Sequence, residues 1–505
     1  MKASHTLLFV LGVFLLLGIG WLFFPADGLA VGNTQLRFPS YAEDRMGHHA
    51  ELDVDSVLNQ VNKSFEMNVS ETLLDSLVFY RDYLTVNPNR IHLPGNDYTY
   101  FDSLFYLLDH ARDNEKIYRV MHYGDSQIEM DRITSVLRQR MQEVFGGSGP
   151  NMISAVKRIS SISLSQGYSG NLIRFALVSD STSHKASHNR YGPMTQFCQT
   201  SGQSTVSFST TKNSQAYSKV KDISRVSILL GNNSEGFTAS VKADNIQGEV
   251  KKLSAKTGVT LLTWDFPANI QKGSITMTGN AEIYGIMLDG DYGVAVDNNA
   301  LRGCSGTIFT RINKQLMDDS FKAIDTRMII LQFGGNRMPM ISGTKNIVSY
   351  VEELEQQVKY FQEVAPQATL LFIGPADMGK SYNGKIGTWK GLPELNDSIK
   401  AMALRNEVAY WDMFNVMGGE GSMAQYVRHN PPLGSPDHIH FTFLGAQEIG
   451  NGLAKSLIIY HDFYELRQRL SNESLEEFMS QDRELIEQEQ EVRRNKFKPT
   501  KFYQE

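Results

Sequence analysis

The sequence predicts an α/β protein organised around a parallel sheet with helices on both faces, into which a block of short β-strands is inserted. Two observations carry this expectation. Apolar runs suited to buried strands, "KIYRVMHY" (116–123), "RMIILQFGG" (327–335), "ATLLFIGP" (368–375) and "VAYWDMF" (408–414), alternate with stretches whose apolar residues recur every three to four positions. Such alternation implies a parallel sheet, because each crossover helix has to lie on a face of it. Between 170 and 292 the texture changes. Ser, Thr, Gly and Asn become dense, and runs such as "STVSFSTT", "FTASVKAD" and "GSITMTG" alternate polar with apolar residues between turn signals. That pattern predicts a β-sandwich.

Taken in chain order, the first element is apolar. "TLLFVLGVFLLLGIGWLFF", residues 6–24, carries no charge. At ~1.5 Å per residue, a helix of this length spans a hydrocarbon core of about 30 Å. Residues 1–25 are therefore expected to anchor the chain in the inner membrane, with Lys2 favouring a cytoplasmic N-terminus. Cleavage as a signal near "ADGLA" is the alternative, which would release the protein. Either way the remainder is expected in the periplasm or beyond. Residues 26–115 read as a polar linker followed by helices, among them "SETLLDSLVFYRDYL" and "YTYFDSLFYLLDHARDN". A strand, Gly124-Asp125-Ser126 and a helix follow, closed by the stop signal "GGSGP". After the β block, helices are expected at 346–363, at 393–406 and after "HFTFLGAQEIG". The tail, 465–505, mixes Glu, Arg and Lys as a solvated or partner-facing helix does.

Composition narrows function by exclusion. A hydrophobic content of 41% with 21% charged residues supports a real core. A net charge of −6 without a basic stripe argues against nucleic acid as partner. Cys198 and Cys304 are too few for a disulfide framework, and buried free thiols are the default reading.

Four short stretches carry candidate chemistry. Ser126 follows a strand, at the sheet edge where ligands of parallel sheets bind. A serine there is either a nucleophile, given a base and oxyanion donors, or a helix N-cap. In "SPDHIHFTFLGAQ", Asp437 and His440 are three apart, so a turn lets the carboxylate hold one imidazole nitrogen while the other serves as base. A metal site formed by Asp437, His438 and His440 is the competing reading. In "LQFGGNRMP", Asn336 offers an amide donor at a strand end, or is a turn residue. In "LRGCSGTIF", Gly303 or Gly306 could present a backbone N–H, or simply make a turn.

Together and in this order, Gly124-Asp125-Ser126, a glycine block, Gly334-x-Asn336 and Asp437-x-x-His440 resemble blocks I, II, III and V of the SGNH (GDSL) hydrolases. The resemblance covers about 116–169 and 293–464, with residues 170–292 inserted between blocks I and II. It implies a flavodoxin-like three-layer α/β/α domain that hydrolyses or transfers esters with no metal and no cofactor. By position, Ser126 is then the nucleophile, His440 the base and Asp437 its orienter. The oxyanion hole would be the Ser126 N–H, a block II glycine N–H taken as Gly303, and the Asn336 side chain. Two residues depart from the family: Arg337 stands where it has aspartate, and Gln127 where an apolar residue follows the serine. Asp125, Gln127, Gly335 and Arg337 are accordingly expected in a polar substrate pocket, Arg337 meeting an anionic group or a carboxylate.

The inserted β domain resembles the carbohydrate modules of bacterial cell-wall O-acetylesterases, with Tyr284, Asn232 and Asn233 available to sugars and Trp264 either available or, as the preferred reading, part of the core. Membrane-anchored domains of this kind also resemble partners of membrane-bound O-acyltransferases. The expected partners are thus an acylated polysaccharide, the inner membrane and such an acyltransferase. Esterase, O-acetyltransferase and non-catalytic glycan-binding protein are the three functions in play.

Overall fold

The computed structural model of the chain describes residues 29–31, 34–36 and 73–469, residues 158 and 179 excepted. The expected anchor at 6–24, the helical pattern before 73 and the tail beyond 469 lie outside the described residues. No described helix is long and apolar enough to cross a membrane. Leu29–Val31 and Thr34–Leu36 pair as an antiparallel hairpin.

Six strands form the central sheet: β1 (Ile91–His92), β2 (Ile117–Gly124), β3 (Gly293–Ala300), β4 (Thr326–Gln332), β5 (Thr369–Ile373) and β6 (Ala409–Trp411). Their spatial order is β3-β2-β4-β5-β6-β1. The first five are mutually parallel, and β1 closes one edge antiparallel. Numbered among themselves, the parallel strands run second-first-third-fourth-fifth, the flavodoxin-like order. In that order the connections leave β2 and β4 toward opposite sides, which opens a crevice at their carboxyl ends.

Seven helices position this sheet: α1 (Leu73–Val86), α2 (Asp102–Asp109), α3 (Thr134–Phe145), α4 (Lys314–Ala323), α5 (Thr344–Val364), α6 (Leu392–Arg405) and α7 (Phe443–Arg467). Strand alternation sorts the faces. Met121, Tyr123, Ile329 and Leu331 enter a core with α4, α5 and α6. His122 points the other way and meets Thr134 of α3 at 3.0 Å. There α3 crosses α7 so closely that a Cβ on Gly450 would stand 2.7 Å from Val136 Cβ. The edge strand β1 left no sequence signal, because two residues cannot display a period.

The strands from Asn151–Ile153 to Ala281–Asp289 join into one antiparallel hydrogen-bonded sheet of ten strands. Val206, Phe208, Ile228, Leu230, Val241, Ile275 and Ile283 share its core. The β region therefore begins near 151, not 170. Asn151–Ile153 pairs with Ile286–Leu288 but is too short to show alternation in sequence. The expected sugar-facing residues are consumed internally. Trp264 is buried and donates to the Glu249 carbonyl, and the Tyr284 hydroxyl donates to Glu282. The Asn232 amide also donates to Glu282, and the Asn233 side chain ties the backbone at Ser254 and Lys256.

A buried ionic cluster joins the two sheets. Arg119 on β2 donates to Asp297 on β3 at 3.0 Å and to Asp289 at the end of the antiparallel sheet. Asp297 also accepts the Met152 N–H at 2.8 Å, and Asn151 donates to Asp289. Removing one partner strands a charge in the interior, so Asp297→Ala is expected to cost about 3–5 kcal/mol, measurable by urea unfolding. A second ion pair dates the pH response. His461 on α7 bonds Asp109 on α2 at 2.8 Å. Burial alone would lower its pKa, but Asp109 and the neighbouring Asp462 and Glu465 carboxylates raise it to about 9. A pKa raised on folding stabilises fully below the unfolded value of ~6.5 and is lost as pH climbs through 9. Unfolding free energy should therefore fall between those limits, and Asp109→Asn should flatten the decline.

Candidate active site

β2 ends at Gly124, and the chain turns there rather than entering a helix. Asp125 caps a short 3-10 turn, Ser126–Asp131, its Oδ1 accepting the Gln127 N–H at 2.9 Å. Met130 and Asp131 then adopt φ of 59° and 68°, and α3 starts only at Thr134. Ser126 is thus not the N-cap; Asp125 takes that role and leaves the serine hydroxyl free to point elsewhere.

It points at His440. Ser126 Oγ and His440 Nε2 are 2.9 Å apart, and His440 Nδ1 lies 2.7 Å from Asp437 Oδ2. Asp437 Oδ1 accepts the N–H groups of Ile439 and His440 at 2.9 and 3.0 Å. Burial works to raise the Asp437 pKa, but the bonds from the His440 ring and these two N–H groups hold it below the usual carboxylate range. The loop bearing both residues closes on itself before α7. The Ser435 N–H donates to the His440 carbonyl at 2.7 Å, and the Thr442 N–H to Leu433 at 2.8 Å. Thr442 Oγ1 then caps α7 by accepting the Gly445 N–H. His438 is turned away at φ 57°, its Cβ against Gly379 and its carbonyl accepting the Gly379 N–H.

Two side chains brace the serine turn against this loop. The Arg132 guanidinium donates to the carbonyls of Ser126, Glu129 and Phe441 at 3.0, 3.1 and 2.9 Å. Gln127 Nε2 donates to the Ile439 carbonyl at 2.7 Å. Gln127, expected in the substrate pocket, lines the cavity beside Ser126 and is a brace as well. Arg132 had no sequence signal, since its partners are backbone carbonyls far along the chain.

The remaining residues surround a cavity of about 600 Å³ beside Ser126 and His440. Gly303, at φ 71°, lies in its wall, as do Gly335 and Asn336. Gly306 is not in the wall; it stands against Phe333. Two residues before Asn336 stands Gly334, whose φ of 140° and contact with Pro375 require glycine. The Asn336 amide donates to Asp125 Oδ2 at 2.8 Å and to the Cys304 carbonyl at 3.2 Å. Burial pushes the Asp125 carboxyl up to about 6. Arg337 does not reach the cavity. It pairs with Glu353 at 3.2 Å and lies over the Tyr350 ring, because the turn after Asn336 directs it onto α5. The walls are less polar than expected: Phe333, Met378, Trp389 and Ile439 contribute, and Glu129 is neutralised by Arg302. Both cysteines are free and buried.

An alcohol, an imidazole and a carboxylate in series, with amide donors across a half-apolar cavity, can support acyl transfer through a serine. Residues 273–447 match the GDSL-like lipase/acylhydrolase family. The matched span includes Asn336, Asp437 and His440, while Ser126 lies upstream of it, beyond the interposed strands. No curated protein sequence matches the chain. Among solved structures, a peptidoglycan O-acetylesterase superposes with a TM-score of 0.57 at 18% identity, covering 72% of this chain and 96% of its own. The salicylyl-acyltransferase SsfX3 of a tetracycline biosynthetic pathway (TM-score 0.25, 13% identity, 47% and 80% coverage) and the acetyl xylan esterase AlAXEase (0.26, 13%, 32% and 81%) align far less well. The family match over residues 273–447 and the shared fold support an SGNH/GDSL-type serine hydrolase that acts on ester bonds.

Proposed function

We propose that the chain removes O-acetyl groups from a polysaccharide outside the cytoplasm, with Ser126 as nucleophile, His440 as general base and acid, and Asp437 as its orienter. The observation that carries this reading is the unbroken series Ser126 Oγ, His440 and Asp437 at 2.9 and 2.7 Å. Ser126 attacks the acetyl carbonyl while its proton passes to His440 Nε2. The tetrahedral oxyanion forms on the side of Gly303 and Asn336, whose N–H groups and that of Ser126 would hold it; each such donor is typically worth about 3–4 kcal/mol. Of the two Asn336 bonds, the 3.2 Å one to Cys304 is the weaker and the one to give way. His440 then returns the proton to the leaving sugar oxygen, and water repeats the cycle on the acetyl-serine. The peptidoglycan O-acetylesterase with the shared fold favours a glycan ester as substrate, and the apolar run 6–24 favours an anchored, periplasmic enzyme.

Ser126→Ala and His440→Ala should each lower kcat on p-nitrophenyl acetate by about ten-thousandfold or more with the fold retained by circular dichroism. His438→Ala should stay near wild type; loss in that variant and retention in His440→Ala would reverse the assignment of the base. Arg132 acts through the Ser126–His440 distance rather than on substrate. Arg132→Met should cut kcat by about ten- to a hundredfold with KM little changed and slow fluorophosphonate labelling of Ser126 in parallel. Arg132→Lys should restore part of both, whereas a raised KM with normal labelling would assign Arg132 to substrate binding instead.

A further inference from the structure

A two-stranded ribbon stands beside the catalytic cavity and has no part in the triad. Gly379–Tyr382 pairs antiparallel with Lys385–Thr388, in the register Lys380↔Gly387 and Tyr382↔Lys385. Cross-strand partners and next-but-one residues share a face, so Lys380, Tyr382 and Lys385 lie together on one side. On the other side Gly379 stands against His438 of the catalytic loop, with Ile386 beside it. The ribbon is firmly based: Thr388 Oγ1 donates to the buried Asp377 at 2.8 Å and accepts the Gly421 N–H at 2.7 Å.

The lysine side is a mixed cationic and aromatic surface. Lys380 Nζ stands 4.5 Å from the centre of the Trp389 ring, and Lys390 Nζ 5.5 Å from that of Tyr382. Lys380, Lys385 and Lys390 are exposed, and among the described residues none is ion-paired with a carboxylate. Trp389 belongs to both surfaces, since it also lines the cavity that holds Ser126 and His440. Three unneutralised ammonium groups in a chain of net charge −6 form a local field of the opposite sign to the molecule. Of the carboxylates at the cavity, Glu129 is paired with Arg302 and does not add to the negative charge there.

We propose that this ribbon is a docking track for an anionic glycan, its lysines holding carboxylates along the polymer and Tyr382 and Trp389 meeting the apolar faces of its sugar rings, so that an ester on the chain is delivered past Trp389 to Ser126. The proposal rests on the glycan-esterase reading for what is delivered, but the binding stands apart from it. The occupant is a polyanionic sugar chain because the track pairs spaced cations with flat aromatic surfaces. A short neutral ester needs neither.

The test uses the full chain in detergent, with polygalacturonate as the acidic polymer and xylan as the neutral one. Affinity electrophoresis should show retardation by polygalacturonate, weakened by added salt, and little by xylan. The triple variant Lys380→Gln, Lys385→Gln, Lys390→Gln should weaken polygalacturonate binding by about tenfold or more, as expected for loss of a local field. The single variant Lys385→Gln, at the ribbon tip, should show a smaller loss in the same direction. Equal binding of the two polymers, or wild-type affinity in the triple variant with a native circular dichroism spectrum, would overturn the track. Acetate release from O-acetylated forms of both polymers is measured in parallel. Absence of release from either, with polygalacturonate still bound, would overturn the esterase reading and leave the track in place.

Discussion

The contact on which the site depends is the hydrogen bond between Ser126 and His440, which joins residues 314 apart in the chain. A bond of about 1 kcal/mol cannot by itself hold two loops together. Here it is the last of a set. Arg132 and Gln127 donate from the serine turn into carbonyls at Phe441 and Ile439, so the two loops are fastened at two points before the serine hydroxyl is counted. The histidine loop is separately closed by Ser435 and Thr442 and capped onto α7. The imidazole is therefore fixed by its own loop, and the serine is brought to it.

The sheet order explains why these loops meet at all. With β3 and β4 on either side of β2, connections diverge above the carboxyl ends of β2 and β4 and leave a crevice there. Ser126 emerges from β2, Asn336 from just beyond β4 and Gly303 from just beyond β3, so three of the wall residues follow adjacent strands. The interposed antiparallel strands do not disturb this arrangement. They leave after α3 and return into β3, and the Arg119, Asp289 and Asp297 cluster binds their base to the sheet. Burying three ionised groups is expensive unless each is answered, and the Met152 N–H and Asn151 amide complete the set. The strand that carries Ser126 is thus separated in sequence from the rest of its domain but not in space.

Much of this was legible in the residues. The strands of the central sheet have near-continuous apolar runs because both of their faces are covered, and the helices have three-to-four periodicity because one face is. The Asp437–His440 spacing was readable because a three-residue separation on a turn has few geometric outcomes. Other readings failed for physical reasons. Tyr284 looked available to sugars, but an aromatic in an alternating run faces inward as readily as outward, as Trp264 does in keeping with its preferred core reading. Arg337 looked like a pocket residue because it follows Asn336, yet a single turn sends neighbours in opposite directions. Gln127 lines the cavity as expected, but its bond to the Ile439 carbonyl had no local signal.

The sequence by itself determined most of the strands and helices and the order of the candidate blocks, because each of those follows from local spacing and side-chain chemistry. Only the tertiary structure decided that Asp125 rather than Ser126 caps the turn, that Arg132 and Gln127 join the two loops, that the cavity is half apolar and that a lysine ribbon flanks it. Those features rest on contacts between residues hundreds of positions apart, and on which way a side chain turns once its strand is packed, and neither is written in a local pattern.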